Sequence, residues 1–428
     1  MRFFPWLPAL VGLAGLANCA DDGGANSTST TTGGGLGGSG GDAEGGLVCD
    51  APFVTKGPWS LRIDGTSAVV RWEACDAGAI GGVRVSKEGG SDARDVASTA
   101  TPTTLTATHT APLNPGAPAD HAGTYHLHEA KLTGLEPGTC YRYELLAAPE
   151  RAGRVCTARA PGAAFRFAAI GDTNPALGTT DDTIAALLPH APDFTVHLGD
   201  IQYYDSLLET WASWFPVMQP LLAAGAFLPV IGNHEYEKPN EIEEYALRYF
   251  GDAGFGGGAD HHRFESGGVW FFGINTEEPF GPTDPQGKWL IDELAKAQAT
   301  PSHRFSVVSL HRPMLTCGDS GDLPDAFAAF HPIFTERGVL LVLAGHMHGY
   351  ERFELGAGPT YLTTAGGGGV IVDPSENTAR SYCDKRVAVS DRYHSVVFDV
   401  GATTVSGKVI DQDGAVGDTF ERAIPAKP

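Results

Sequence analysis

Six short, largely apolar runs punctuate the second half of the chain, at 165–170, 194–198, 227–231, 269–274, 305–310 and 339–344. Runs this short, rich in Val, Leu, Ile and Phe, predict strands buried on both faces, as in a parallel sheet. The stretches 241–250 and 286–299 between them predict helices. Strand and helix in alternation predict a layered α/β domain over residues 163–428. The region 49–162 reads differently. Its apolar runs, such as 68–72 and 141–145, lie between Gly, Pro and Asp clusters, which predicts an all-β domain. Residues 21–48 are mostly Gly, Ser, Thr and Asp. They offer too little apolar surface to offset chain entropy, so a flexible linker is expected there.

Composition sharpens this picture. Of 428 residues, 42% are hydrophobic, enough for two cores, and the net charge is −22. That acidity argues against nucleic acid as a partner, because phosphate backbones are held mainly by Lys and Arg. It leaves small phosphorylated substrates open, since bound cations reverse the local field inside a pocket. Residues 1–20 read as an export signal, with Arg2 ahead of a short apolar run at 7–17. Leu16-Ala17-Asn18-Cys19 resembles a lipoprotein cleavage site, with Cys19 as the lipidated, membrane-anchoring residue. Ordinary cleavage near Ala17, giving a secreted protein, is the alternative. Six further cysteines suit an oxidising compartment. Cys140 with Cys156 is the expected hairpin pair; Cys49 with Cys75 and Cys317 with Cys383 follow by domain.

Five polar motifs stand just after the predicted strands, where α/β folds place their sites. They are Gly171-Asp172, Gly199-Asp200-Ile201-Gln202-Tyr203, Gly232-Asn233-His234-Glu235, His311 within Ser309-Leu310-His311-Arg312-Pro313, and Gly345-His346-Met347-His348-Gly349-Tyr350-Glu351-Arg352. Each alone is an ordinary turn or core histidine. Packing gives no reason for all of them at strand ends together. Two neighbouring cations need a bridging carboxylate, and neutral imidazole and amide donors preserve positive charge for a phosphate. The pair His346 and His348 is expected on one side of an extended segment, because strand side chains repeat every two residues.

The five motifs resemble the calcineurin-like metallophosphoesterases and, within them, the purple acid phosphatases. Asp172-Thr173-Asn174, Tyr203 three residues after Asp200, and the run 345–352 carry that closer resemblance. It implies a layered αββα metallophosphoesterase sandwich. Leu135-Glu136-Pro137-Gly138-Thr139-Cys140-Tyr141-Arg142-Tyr143 resembles the tyrosine-corner stretch of fibronectin type III domains, implying a β-sandwich over 49–162. By resemblance, one metal takes Asp172, Tyr203 and His348; the other takes Asn233, His311 and His346; Asp200 bridges them. The anionic Asp172 and Tyr203 suit Fe³⁺, and the more neutral second set suits Zn²⁺, Mn²⁺ or Fe²⁺. His234 is implied as the acid for the leaving group, with Asp205 orienting it.

The implied reaction is hydrolysis of phosphomonoesters by a metal-bound hydroxide. The alternatives are phosphodiester or nucleotide hydrolysis at the same site, and a surface-binding lipoprotein with an inactive site. One departure concerns the loop 314–322, which carries two acids and none of the additional histidines of plant-type members.

Overall fold

The computed structural model describes residues 54–75, 81–105, 123–203, 207–237, 240–318 and 321–426. The proposed leader, linker, Cys19, Cys49 and Asp205 lie outside them. Among the described residues the strands form two sheets, of thirteen and seven strands.

Seven strands between Val54 and Cys156 pair in antiparallel ladders. The long strand Ala93–Leu105 serves both halves of this region. Its first residues pair with Gly82–Lys87 and its last with Gly123–Leu132, so one strand joins the two halves. At the corner, the backbone N–H of Glu136 donates to the Tyr141 hydroxyl at 2.8 Å. This β region does not end at its own edge. Ser60 in strand Val54–Leu61 pairs in parallel with Ala226, joining it to the first sheet of the α/β region.

That first sheet continues through Ala226–Pro229, Phe194–His197 and Phe165–Ile170, then through three antiparallel C-terminal strands, His394–Val400, Thr404–Asp411 and Val416–Ala423. The second sheet has Val269–Gly273, Phe305–Leu310, Val339–Ala344 and Thr360–Thr364 in parallel at its centre. The predicted apolar runs are therefore strands, and their continuity has a simple cause. In Val339–Ala344, Leu341 and Leu343 belong to the core between the sheets. Val342 and Ala344 face the helices Pro285–Ala299 and Pro324–Arg337 through Leu290, Leu294, Phe330 and Phe334.

Between the sheets, Phe167 and Phe194 meet Phe271 edge-on at 5.1 and 5.3 Å between centroids. Each such pair adds about 0.5–1.5 kcal/mol beyond burial. With helices Thr179–Leu187 and Leu207–Ala224 on the first sheet, the layers run αββα. Helix Pro285–Ala299 matches its predicted span to one residue, with Pro285 in the first turn where no N–H is needed. The predicted helix at 241–250 is a wide turn, Ile242–Ala246, that tightens into Leu247–Phe250. Tyr249 and Phe250 then pack against Trp59 and Trp211.

A buried ionic cluster ties this turn to the β region. Lys56 and Arg248 both pair with the Glu73 carboxylate, and the Tyr249 hydroxyl donates to it at 3.1 Å. Burial alone would raise the Glu73 pKa, but the two cations outweigh it and hold the carboxyl down to about 2.

Disulfides join Cys140 to Cys156, the expected hairpin pair, and Cys317 to Cys383, the pair expected by domain. No described helix is long and apolar enough to cross a membrane.

Candidate metal centre

The motifs leave their strands at a common edge and turn back over it. Asp172, Asp200 and His346 each take a left-handed backbone, with φ of 61°, 47° and 70°. Such conformations are uncommon for residues with a Cβ and concentrate at functional sites. Cross-links between loops hold them there. The Asp172 N–H donates to Gly199 O at 3.1 Å, and the Thr173 N–H to Asp200 O at 3.2 Å. The His346 N–H donates to the Asp172 carboxylate at 3.0 Å. Gly232 is required by close approach, since a Cβ there would collide with the Asp200 carboxylate.

Two sets of donor atoms result. In the first, the Tyr203 hydroxyl lies 3.2 Å from Asp172 Oδ1 and 2.7 Å from His348 Nε2. In the second, His311 Nε2 lies 3.2 Å from Asp200 Oδ1, 3.1 Å from Asn233 Oδ1 and 3.2 Å from His346 Nδ1. Asp200 belongs to both: Asp172, Asp200 and His348 present donor atoms within 4.8 Å of one another, and so do Asp200, His311 and His346.

Backbone carbonyls set the histidine tautomers. His311 Nδ1 meets Leu198 O at 2.9 Å and His348 Nδ1 meets Val370 O at 2.7 Å, turning each Nε2 toward the centre. His346 and His348 both reach donor sets that contain Asp200, although the segment between them is not the extended strand expected. Residues 346–349 form a bend rather than a strand, and the left-handed turn at His346 sends the two rings to different donor sets.

Electrostatics favour cations here. Asp172 is fully buried, and that burial raises its pKa. Asp200 is pushed up by burial but held low by the His311 charge. The same contact carries His311 up to about 10 against the opposing effect of burial. Burial, then the Asp172 and Asp200 charges, raise the Tyr203 pKa well above its usual range, an effect that a bound cation would reverse by displacing the phenol proton. Carboxylates, phenol, amide oxygen and imidazoles buried together are costly unless positive charge joins them. The donor set thus fits a pair of metal ions.

Glu235 locks two of the loops, accepting N–H bonds from Ile201 at 2.9 Å and Gly232 at 2.8 Å. Glu351, in the fifth motif, accepts from Thr316, Cys317 and Arg386 and so anchors the loop after His311.

His234 stands at the rim, with Nε2 3.8 Å from Asp200 Oδ2. Its Nδ1 meets Glu237 Oε1 at 2.5 Å. Among the described residues the carboxylate on His234 Nδ1 is that of Glu237; Asp205 lies outside them. Sequence reading also passed over Arg312 and Glu277, although Arg312 adjoins His311. It gave no role to the glycines 366–369, where the Gly369 N–H donates to Asp172 O at 2.8 Å.

Residues 165–350 match the calcineurin-like phosphoesterase family. The chain carries a calcineurin-like phosphoesterase domain. The chain is 25% identical over 287 residues to purple acid phosphatase 15 of Arabidopsis thaliana, covering 56% of this chain and 53% of that protein. It is 27% identical over 273 residues to purple acid phosphatase 22 of the same plant, covering 56% and 58%. The chain thus spans little more than half the length of these curated relatives. The fold is also that of a purple acid phosphatase from yellow lupin (Lupinus luteus) seeds. That structure superposes with a TM-score of 0.66 at 16% identity, over 86% of this chain and 74% of the other. The phosphoesterase domain begins with strand Phe165–Ile170 and ends in the fifth motif, so it encloses every donor named above.

Proposed function

We propose that this chain hydrolyses phosphomonoesters at a dinuclear metal site. The observation that carries this reading is the placement of Asp200 in both donor sets, where its carboxylate can bridge. Asp172, Tyr203 and His348 would hold one ion; Asn233, His311 and His346 would hold the other. The anionic first set suits Fe³⁺, and the second suits Zn²⁺, Mn²⁺ or Fe²⁺. When bound, such a pair supplies a nucleophile at mild pH and neutralises phosphoryl oxygens.

The chain does the rest. The Leu198 and Val370 carbonyls keep His311 and His348 aimed at the centre. Glu237 accepts from His234 Nδ1, which leaves the proton at Nε2 free to pass to the departing ester oxygen. In this reading residues 49–162 form a supporting fibronectin III-like domain and 163–428 the catalytic domain.

Phosphodiester hydrolysis is the second reading. The purple acid phosphatase names of the relatives favour the monoester. Comparing p-nitrophenyl phosphate with bis(p-nitrophenyl) phosphate tests this. A higher kcat/KM on the monoester is expected; a higher value on the bis-ester would transfer the assignment to diesters.

Export, with attachment through Cys19, belongs to the same proposal. Cys19→Ser should move the protein from the membrane to the soluble fraction. Unchanged partitioning would remove the anchor from the account.

A further inference from the structure

We infer that Arg312 is an anion-recognition residue, held by Glu277, which selects phosphate esters carrying a second anionic group beside the phosphate. This rests on the phosphoesterase reading above and adds a substrate class to it.

Arg312 follows His311 at the end of strand Phe305–Leu310, and Glu277 follows the neighbouring strand Val269–Gly273. The Arg312 N–H donates to Thr276 Oγ1 at 3.0 Å, which fixes where the side chain starts. The guanidinium then forks onto the Glu277 carboxylate. Nε donates at 2.8 Å to Oε1 and 3.1 Å to Oε2, and Nη2 donates at 2.9 Å to Oε2. A planar fork bound along one edge cannot turn, so its remaining nitrogen has a set direction. That nitrogen, Nη1, lies 3.3 Å from His346 Nε2.

The position is informative. His346 faces the donor atoms with Nδ1, 3.2 Å from His311 Nε2. Arg312 meets the opposite edge of the ring. It therefore stands one imidazole width behind the donor atoms, too far back to share the oxygens of the phosphoryl group under attack. It is placed instead for a group attached beyond that phosphoryl. The Arg312 side chain is 27% exposed and Glu277 12%, so the pair is partly open to solvent. In a chain of net charge −22, a ligand with two anionic groups needs such a fixed cation. The shared chemistry is an oxyanion, carboxylate or phosphate, matched to a bidentate guanidinium.

The test uses the metal-loaded protein and two matched pairs. The first is 2-phosphoglycolate against ethyl phosphate, read as KM. The second is pyrophosphate against inorganic phosphate, read by calorimetric binding. Arg312→Met should weaken the doubly anionic member about 10- to 100-fold more than its partner, the scale of a lost charge-assisted hydrogen bond. Arg312→Lys should restore only part of this, because an ammonium cannot fork. Glu277→Gln should fall between, since it loosens the guanidinium. Metal content and thermal melting of each variant identify any that misfold, and Arg312→Lys and Glu277→Gln carry the test if Arg312→Met does. A response in the glycolate pair alone identifies a carboxylate, and in the pyrophosphate pair alone a phosphate. Equal losses within both pairs would overturn the inference. A wild type that hydrolyses no ester, yet binds pyrophosphate through Arg312, would sink the phosphoesterase reading and leave this subsite standing.

Discussion

Replacing Asp200 with asparagine is expected to empty both donor sets and to lower kcat/KM on phosphate monoesters by roughly 10³-fold or more. The size follows from the several kcal/mol that bound cations contribute to phosphoryl transfer, at about 1.4 kcal/mol for each tenfold. The breadth follows from geometry. Asp200 is 1% exposed and is shared by the Asp172–His348 and His311–His346 groups. His346→Ala touches one group alone, so it should release one ion and retain the other. Elemental analysis of the purified variants, alongside kinetics, reads both results. An Asp200→Asn protein that keeps both ions would show that the carboxylate does not bridge.

His234→Ala should act differently, because His234 stands at the rim rather than among the donors. Its Nδ1 is committed to Glu237, and its Nε2 lies 3.8 Å from Asp200 Oδ2. The variant should keep both ions. It should lose roughly 10²–10⁴-fold on an alkyl phosphate, the usual scale for a positioned acid. The loss on p-nitrophenyl phosphate should be smaller, since nitrophenolate departs without help. Equal losses on the two substrates, with ions retained, would mean that His234 stabilises the phosphoryl group. Loss of metal would place it among the ligands.

Much of this architecture was legible in the sequence for a physical reason. Strands buried on two faces must be apolar at every position, so 305–310 and 339–344 announce themselves without periodicity. Residues that follow such strands reach a common edge, which is why Asp172, Asp200, Asn233, His311 and His346 could be grouped before any geometry was known. The directions of side chains were not legible. His346 and His348 read as a strand pair, yet they reach the centre from a bend with a left-handed backbone at His346. The Arg312–Glu277 fork joins residues 35 positions apart on neighbouring strands, a pairing with no local signal. Of the three C-terminal strands, Val416–Ala423 is largely exposed and mixes polar with apolar positions. The join between Ser60 and Ala226 depends on how two distant regions meet, and neither segment shows it alone.

The account stands most directly on the metal content of the folded wild-type chain. Elemental analysis by mass spectrometry should find two transition-metal ions per chain, one for each donor group, with iron as one of them. A folded preparation that neither carries nor takes up transition metal would contradict it.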